Sequence, residues 1–249
     1  DETVTFVAVK RGMLLTHERE CVGKITVAQI GITDAEHAAL LQKEQLIDEE
    51  FVRSLLPKRK LVSNKGTFGK AAIAAGSPGM GGAAVMAASA ALRTGAGLTK
   101  AFVPRDIMHM FASRPEIMAV ADDNIQGLVQ WATAFGIGCG SGGDASIKQK
   151  LRAVLSCGKP AVIDADGLNN LDNELKKLLS LRHVLTPHPG EMARLTGKSI
   201  EDVLRDPAGF AENTAKAFGC IVLLKGAVSV AAHPDGRLRY NASGNPGLA

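Results

Sequence analysis

Short apolar runs alternate with Ala-rich or amphipathic segments along most of the chain. Runs of mostly aliphatic residues predict strands at 71–75, 98–103, 134–137, 161–163, 183–185 and 221–224. Helical composition and spacing predict helices at 83–94, 146–156 and 171–179, and in two pieces across 191–218. Strands that alternate with helices favour a mostly parallel sheet covered by helices on both faces, which places the chain in the α/β class.

The first fifty residues follow a different pattern. Alternation of apolar and polar residues predicts short strands near 3–8 and 23–30. The charged stretch 34–50 has few Gly or Pro residues and is predicted to be a linker or a surface helix. We therefore divide the chain into a first segment, a linker and a main domain, at 1–32, 33–50 and 51–249.

Length and composition fit one large α/β domain and exclude several classes of function. The chain has 249 residues, 46% hydrophobic and 22% charged, as in an ordinary globular domain. The net charge of +4 could favour a small anionic ligand, but no run of Lys and Arg interleaved with aromatics indicates nucleic acid. Cys21, Cys139, Cys157 and Cys220 are widely spaced, which indicates reduced thiols in a cytoplasmic protein rather than a zinc site or disulfides. No apolar run is long enough to span a bilayer.

A Gly-rich loop and a pair of aspartates follow two of the predicted strands. The loop 76–83 precedes a helix, where free backbone N–H groups favour anionic or polar ligand groups. It lacks the end of a Walker A loop, and a plain strand-to-helix turn is an equal alternative. Strand alternation would put Asp164 and Asp166 on one side, where a carboxylate could bind a ribose hydroxyl, a cation or the substrate. We expect one of the two to cap the following helix instead.

Two prolines enclose His188 in the run Thr186-Pro187-His188-Pro189-Gly190-Glu191. The prolines hold the backbone extended around His188, and Glu191 falls in the first turn of the next helix, where an acid suits the helix dipole. A lone His is usually structural. A His fixed at the carboxyl end of a strand is more often part of a site, because open α/β sheets bind ligands there. We therefore favour a site role for His188.

Lys225 and Gly226 follow the predicted strand 221–224. The Lys225 ammonium could reach a phosphate, and Gly226 would let backbone N–H groups approach the same ligand. The alternative is a solvated lysine in a turn. Beyond it, two short strand-like runs flank Pro234-Asp235-Gly236, which predicts an antiparallel hairpin of 229–232 and 238–240.

Taken together, these motifs resemble the ADP/ATP-dependent NAD(P)H-hydrate dehydratases of the ribokinase-like superfamily. The resemblance runs from about Lys65 to Ala249 and is carried by motifs in a fixed order. They are Lys65-Gly66-Thr67-Phe68-Gly69, the loop 76–83, the run 91–98, Arg114-Pro115-Glu116-Ile117-Met118, the run 164–169, the His188 motif, Lys225-Gly226-Ala227 and Asn245-Pro246-Gly247. Residues 1–32 also look like the tail of the NAD(P)H-hydrate epimerase domain that is fused upstream in bifunctional bacterial members.

The resemblance implies a three-layer α/β/α sandwich and a repair reaction. Members of the family restore NADH or NADPH from the hydrated form. The nucleotide donates a phosphoryl group to the C6 hydroxyl, and phosphate then leaves by elimination. By this resemblance the hydrated dinucleotide would contact Ala83, Gly140 and His188, to which we add Asp166. The nucleotide would be held by Lys225, Gly226, Ala227, Val228 and Ser229, with Lys225 near its phosphates.

The chain departs from the family pattern in two places. The family continues past the Asn-Pro-Gly loop into Gly-x-Gly-Asp, whose glycines form an anion hole and whose Asp is the base, so the expected catalytic Asp lies beyond Ala249. We therefore expect the chain to be a piece of a longer protein, and residues 1–249 alone to be inactive. Gly138-Cys139-Gly140 replaces the usual Gly-Pro-Gly, which leaves that loop less rigid.

Our interpretation is an ADP-dependent dehydratase of NADH hydrate or NADPH hydrate. Mg²⁺ would assist the ADP, or ATP, without a metal site in the protein, since phosphoryl transfer depends mainly on positioning and charge stabilisation. We expect a cytoplasmic protein with no nucleic-acid or membrane partner, and a homo-oligomer at full length. Two alternatives stay open: a ribokinase-like kinase of a small alcohol, and a nucleotide-binding module without catalysis.

Overall fold

Strands and helices alternate through most of the chain in the computed structural model, which describes residues 2–15, 19–33, 35–36, 43–143 and 145–244. The strands are β1 (Glu2–Phe6), β2 (Lys24–Ala28), β3 (Glu44–Leu46), β4 (Lys70–Ala74), β5 (Leu98–Val103), β6 (Met118–Ala121), β7 (Ala134–Ile137), β8 (Ala161–Ile163), β9 (His183–Leu185), β10 (Ile221–Leu224), β11 (Ser229–Ala232) and β12 (Leu238–Asn241). Every strand predicted between residues 70 and 224 is found to within one residue.

Helices separate most of these strands. The α-helices of the described residues are α1 (Arg11–Leu15), α2 (Arg19–Val22), α3 (Glu49–Leu55), α4 (Gly81–Arg93), α5 (Ile125–Trp131), α6 (Ala145–Ser156), α7 (Asp166–Asn169), α8 (Asn173–Lys176), α9 (Pro189–Thr196), α10 (Ile200–Arg205) and α11 (Pro207–Phe218). Two 3₁₀ helices cover Lys65–Phe68 and Arg105–Phe111. None of the helices that the structure describes is both long and apolar enough to cross a membrane.

The chain divides into two compact units. The first, which we call the core unit, comprises residues 57–187 and 218–221. The second, which we call the split unit, combines three segments, at 1–56, 188–217 and 222–249. The predicted division at residues 32 and 50 separates an epimerase-like tail and a linker from the main domain. It does not describe compact units, and it stays a prediction.

The core unit contains a wholly parallel sheet with the strand order β9-β8-β7-β4-β5-β6. Helix α4 packs on this sheet through Ala84 and Ala88, which are both fully buried. They belong to the same hydrophobic cluster as Ile73 of β4 and Val103 of β5. Alanine at these helix positions lets the helix backbone lie close to the strands, so the small residues that the sequence supplies serve close packing. The predicted α/β class with a mostly parallel sheet is confirmed.

The split unit contains a second arrangement of strands. Strands β10, β11 and β12 are antiparallel neighbours, which confirms the predicted hairpin and adds β10 to it. Strand β3 lies parallel to the outer side of β12. Strands β1 and β2 form a separate parallel pair.

Two predictions of secondary structure were wrong in part. The stretch 34–50, predicted as a linker or surface helix, contains strand β3, which forms because its backbone pairs with β12, whereas the exposed helix α3 does begin within it, at Glu49. Of the predicted helix 171–179, only α8 is α-helical, and Asp172 begins it by accepting a hydrogen bond from the Leu175 N–H at 3.0 Å. Strand β6 and helix α5 lie where neither element was predicted.

Candidate functional site

Three loops of the core unit follow β4, β7 and β8, which are neighbours in its sheet. They are held together by hydrogen bonds that each include a main-chain group. The Ser77 hydroxyl donates to the Gly140 carbonyl at 2.9 Å, and the Gly142 N–H donates to Asp166 Oδ2 at 2.9 Å. We call these loops, 76–83, 138–143 and 164–166, the backbone cluster. Its place at the carboxyl ends of parallel strands is where open α/β sheets bind ligands.

Two glycines make the close approach of these loops possible. Gly138 has a φ of +116°, and a Cβ there would lie 2.1 Å from the Asp164 carbonyl oxygen. Gly140 has a φ of +64°, and a Cβ there would lie 3.0 Å from the Ala83 Cβ. The structure thus brings together Ala83, Gly140 and Asp166, three of the predicted substrate contacts.

The aspartates of the third loop differ from the prediction in two respects, the strand alternation and the helix cap. Strand β8 ends at Ile163, so strand alternation does not reach Asp164 and Asp166. The helix begins after Ala165, which makes no side-chain cap, so the expectation that an aspartate caps this helix was wrong. Asp164 Oδ1 accepts instead from the Ala165 N–H at 2.8 Å, and Asp166 lies inside the first turn with its carboxylate on the Gly142 N–H. Ala165 has a φ of +48°, a strained value for a residue with a Cβ.

In the split unit, His188 begins helix α9 with its own side chain. Its backbone is extended, with φ −81° and ψ 170°, as the flanking prolines predict. Imidazole Nδ1 accepts from the Gly190 N–H at 3.0 Å and the Glu191 N–H at 3.4 Å. This N-cap could not be predicted from residue type, because Ser, Thr, Asp and Asn are the usual N-caps.

Glu191 lies beside His188 and is only 4% exposed. Its Oε2 accepts the His188 N–H at 2.7 Å, its Oε1 lies 3.5 Å from His188 Nε2, and Oε2 lies 3.9 Å from Lys225 Nζ. A buried carboxylate is costly without such partners. We call His188, Glu191 and Lys225 the side-chain cluster. Sequence reasoning placed Glu191 in the first helical turn but did not identify it as the residue that joins the other two.

The predicted nucleotide-binding residues form the connection between β10 and β11. Lys225 follows the end of β10, its side chain is 39% exposed, and Ser229 opens β11. Between them, Val228 is buried and Gly226 lies close to its carbonyl. Gly226 and Ala227 lie in the short connection between these two antiparallel strands. The other predicted nucleotide motif, Asn245-Pro246-Gly247, lies outside the described residues.

Metal-ligating side chains do not gather anywhere in the part of the chain that the structure describes. No three His, Cys, Asp or Glu residues there lie close enough together to hold an ion.

Comparison with known proteins shows which family this chain resembles in sequence. The sequence profile of the NAD(P)H-hydrate dehydratase family matches residues 71–249. A bifunctional NAD(P)H-hydrate repair enzyme of Moorella thermoacetica is 36% identical over 264 residues, covering 99% of this chain and 50% of that protein. An ADP-dependent (S)-NAD(P)H-hydrate dehydratase of Neisseria meningitidis is 38% identical over 195 residues, covering 75% of this chain and 66% of that protein. The chain spans about half the length of the bifunctional relatives that it matches.

Solved structures give the same relationship. The ADP/ATP-dependent NAD(P)H-hydrate dehydratase of Bacillus subtilis, co-crystallised with ATP and Mg²⁺, matches with a TM-score of 0.70 at 30% identity. The match covers 81% of this chain and 73% of that one. A ribokinase-like superfamily protein of Enterococcus faecalis matches with a TM-score of 0.74 at 26% identity, covering 82% of this chain and 73% of that one.

Proposed function

The chain belongs to the NAD(P)H-hydrate dehydratase family, and from this premise we propose that it takes part in the ADP-dependent dehydration of NADH hydrate or NADPH hydrate. The observation that carries the proposal is the family match over residues 71–249, a range that includes both the backbone cluster and the side-chain cluster. The name of the Neisseria meningitidis relative supports ADP as the phosphoryl donor.

In the proposed reaction, the C6 hydroxyl gives its proton to a general base and its oxygen attacks the terminal phosphorus of ADP. The bond from that phosphorus to the oxygen of the departing AMP breaks. Phosphate then leaves C6 with the bonding electron pair, while a proton leaves the neighbouring ring carbon. The products are NADH or NADPH, AMP and inorganic phosphate. Such a transfer depends on positioning and charge stabilisation, which groups of the kind seen in both clusters can supply.

The residues have distinct proposed roles. The hydrated dinucleotide contacts Ala83, Gly140 and Asp166 of the backbone cluster, and His188 of the side-chain cluster. The hydrogen bonds between the loops of the backbone cluster support its proposed contact with the dinucleotide, because they hold backbone groups together at one edge of the sheet. The turn 225–229 holds the nucleotide, with the Lys225 ammonium on its phosphates. The exposure of Lys225 at the end of β10 supports this contact with the nucleotide.

Mg²⁺ is proposed to arrive with the nucleotide rather than to reside in the protein. Mg²⁺ in kinase-type sites is bound through one or two carboxylates together with substrate phosphates. The co-crystallisation of the Bacillus subtilis relative with ATP and Mg²⁺ supports an ion that accompanies the nucleotide. When bound, Mg²⁺ would neutralise charge on the transferred phosphoryl group.

An isotope experiment on the protein that contains this chain tests the reaction. Hydrate prepared in ¹⁸O-labelled water carries the label in its C6 hydroxyl. The proposed reaction transfers that label to inorganic phosphate, and mass spectrometry would detect one labelled oxygen for each NADPH formed. Label in a stable phosphoester would indicate a small-alcohol kinase instead. Label released as water would contradict phosphorylation of the hydroxyl, and ADP binding without turnover would indicate a non-catalytic module.

The remaining proposals concern the protein as a whole. We propose that residues 1–32 are the tail of an epimerase-like domain. Matches to bifunctional relatives over 99% of this chain support this, as does a parallel pair in which Val4 and Phe6 are 57% and 56% exposed. We also propose a cytoplasmic homo-oligomer. An epimerase assay and light scattering on the full-length protein test these points.

A further inference from the structure

The hydrogen bonds around His188 fix which ring nitrogen carries the proton. Nδ1 accepts from the N–H groups of Gly190 and Glu191, at 3.0 and 3.4 Å. A ring nitrogen that accepts a hydrogen bond has its lone pair free of a proton, so in the neutral imidazole the proton is on Nε2.

Glu191 favours the same arrangement from the other side of the ring. Its Oε1 lies 3.5 Å from His188 Nε2, where a negative charge stabilises a bound proton. Glu191 is itself held by burial and by the His188 N–H, which donates to Oε2 at 2.7 Å. The carboxylate therefore has a fixed place beside Nε2, where its charge favours a proton on that nitrogen.

We propose that Glu191 is a positioning residue that keeps His188 as an Nε2–H donor. His188 then binds an acceptor oxygen of its ligand, a carbonyl or phosphate oxygen, and it does not act as a general base. The identity of that ligand as the hydrated dinucleotide rests on the proposed function. The side chain of His188 is 51% exposed, so Nε2 is accessible to a ligand.

A base role conflicts with this geometry. A general base needs a lone pair directed at the proton that it takes. On Nε2 that position is already protonated, and on Nδ1 the lone pair accepts the first N–H groups of helix α9. A proton on Nδ1 would break the N-cap, which normally stabilises a helix by about 1 kcal/mol.

The first test requires no ligand and no activity. Nitrogen NMR of the histidine side chains reports which ring nitrogen is protonated in the neutral form. We expect the Nε2–H form for the neutral imidazole of His188. His183 serves as an internal reference, because its Nδ1 accepts from the Ser180 N–H at 3.1 Å and its ring is 1% exposed. A dominant Nδ1–H form of His188 would overturn the proposal whatever the enzyme assay gives.

The second test separates a donor from a base by kinetics. In His188→Asn, the amide oxygen can cap the helix while the amide N–H₂ remains a donor. We expect kcat within about threefold of the wild type and KM for the hydrate raised about tenfold, since binding rather than chemistry is weakened. Removal of a general base would instead lower kcat by about 10²–10⁴-fold. A loss of that size would overturn the proposal.

The third test concerns Glu191. In Glu191→Gln the amide oxygen can still accept the His188 N–H, but the charge facing Nε2 is gone. We expect KM for the hydrate to rise about three- to tenfold with kcat retained and ADP affinity within about twofold. An unchanged KM for the hydrate, or an equal loss of ADP affinity, would contradict a positioning role directed at His188. A thermal melt of the same variant should differ little from the wild type.

Discussion

The two clusters are built from different parts of the chain. In the backbone cluster, two of the three loops pass close to each other because Gly138 has no side chain, and Asp166 bonds to a main-chain N–H. In the side-chain cluster, an imidazole, a buried carboxylate and an ammonium group surround the first turn of helix α9. The backbone cluster depends on the missing side chain at Gly138, and the side-chain cluster depends on where the charged groups of Glu191 and Lys225 lie. Substitutions should therefore act mainly on folding in the first cluster, and on ligand affinity as well as the start of helix α9 in the second.

The largest expected effect is on the stability of the backbone cluster. In Gly138→Ala the new Cβ would lie 2.1 Å from the Asp164 carbonyl oxygen and 2.4 Å from the Gly167 nitrogen. Both are backbone atoms, so the loops must separate, and φ at +116° is unfavourable for alanine as well. We expect the free energy of unfolding to fall by at least about 3 kcal/mol in urea denaturation.

Gly142→Ala is the matched control in the same loop. Gly142 also has a positive φ, +71°, but the nearest atom to an added Cβ is Ser77 Oγ at 3.9 Å. Only the backbone preference is lost, which costs about 1–2 kcal/mol. Equal destabilisation by both substitutions would mean that the close approach at Gly138 contributes nothing.

The second prediction concerns ligand affinity in the side-chain cluster. Lys225→Ala removes the ammonium group proposed to contact the nucleotide phosphates. We expect ADP binding to weaken by about 1.5–3 kcal/mol, as for a lost hydrogen bond to a charged group. Stability should fall as well, because the buried Glu191 carboxylate loses the ammonium group 3.9 Å away. Lys216→Ala is the control, because Lys216 pairs with Glu212 on helix α11 at 2.6 Å. Unchanged ADP affinity of Lys225→Ala in calorimetry would reject the assignment.

The third prediction asks how far His188 is also structural. His188→Ala removes the side chain that accepts the first N–H groups of helix α9. We expect a loss of stability of about 1 kcal/mol, together with weaker binding of the hydrate and little change in ADP binding. His188→Asn should restore the stability, since asparagine is a good N-cap. A loss of stability without any change in hydrate binding would leave His188 a purely structural residue.

Sequence reasoning worked best where a local pattern decides the structure. Strands β5, β7, β8, β9 and β10 consist mostly of apolar residues, and their bounds are those predicted. The prediction failed where a segment becomes a strand only by pairing with a residue run far away in the sequence. Glu44-Gln45-Leu46 has no strand pattern, yet it pairs with β12, and Glu44 accepts a hydrogen bond from the Tyr240 hydroxyl at 2.7 Å. Burial, together with that carboxylate, raises the pKa of Tyr240 well above its ordinary value.

The candidate site shows the same division. The carboxyl ends of parallel strands meet at one edge, so sequence order was enough to bring Ala83, Gly140 and Asp166 together. The joining role of Glu191 could not be predicted in this way. It depends on Lys225, which lies 34 positions further along the chain and comes within 3.9 Å only in the folded split unit.

The smallest expected effect returns to the backbone cluster and has the opposite sign. Ala165 has φ +48° and ψ −120°, a conformation that glycine adopts with far less strain than alanine. Ala165→Gly should therefore stabilise the protein by about 0.5–1 kcal/mol, the relief of strain exceeding the entropy that glycine adds to the unfolded chain. Ala153→Gly, inside helix α6, should destabilise it by about 1 kcal/mol. If both substitutions destabilise equally in thermal melts, the conformation at Ala165 carries no strain. If only Ala165→Gly stabilises, the strain is real, and a fall in hydrate affinity in that variant would show that it serves the site.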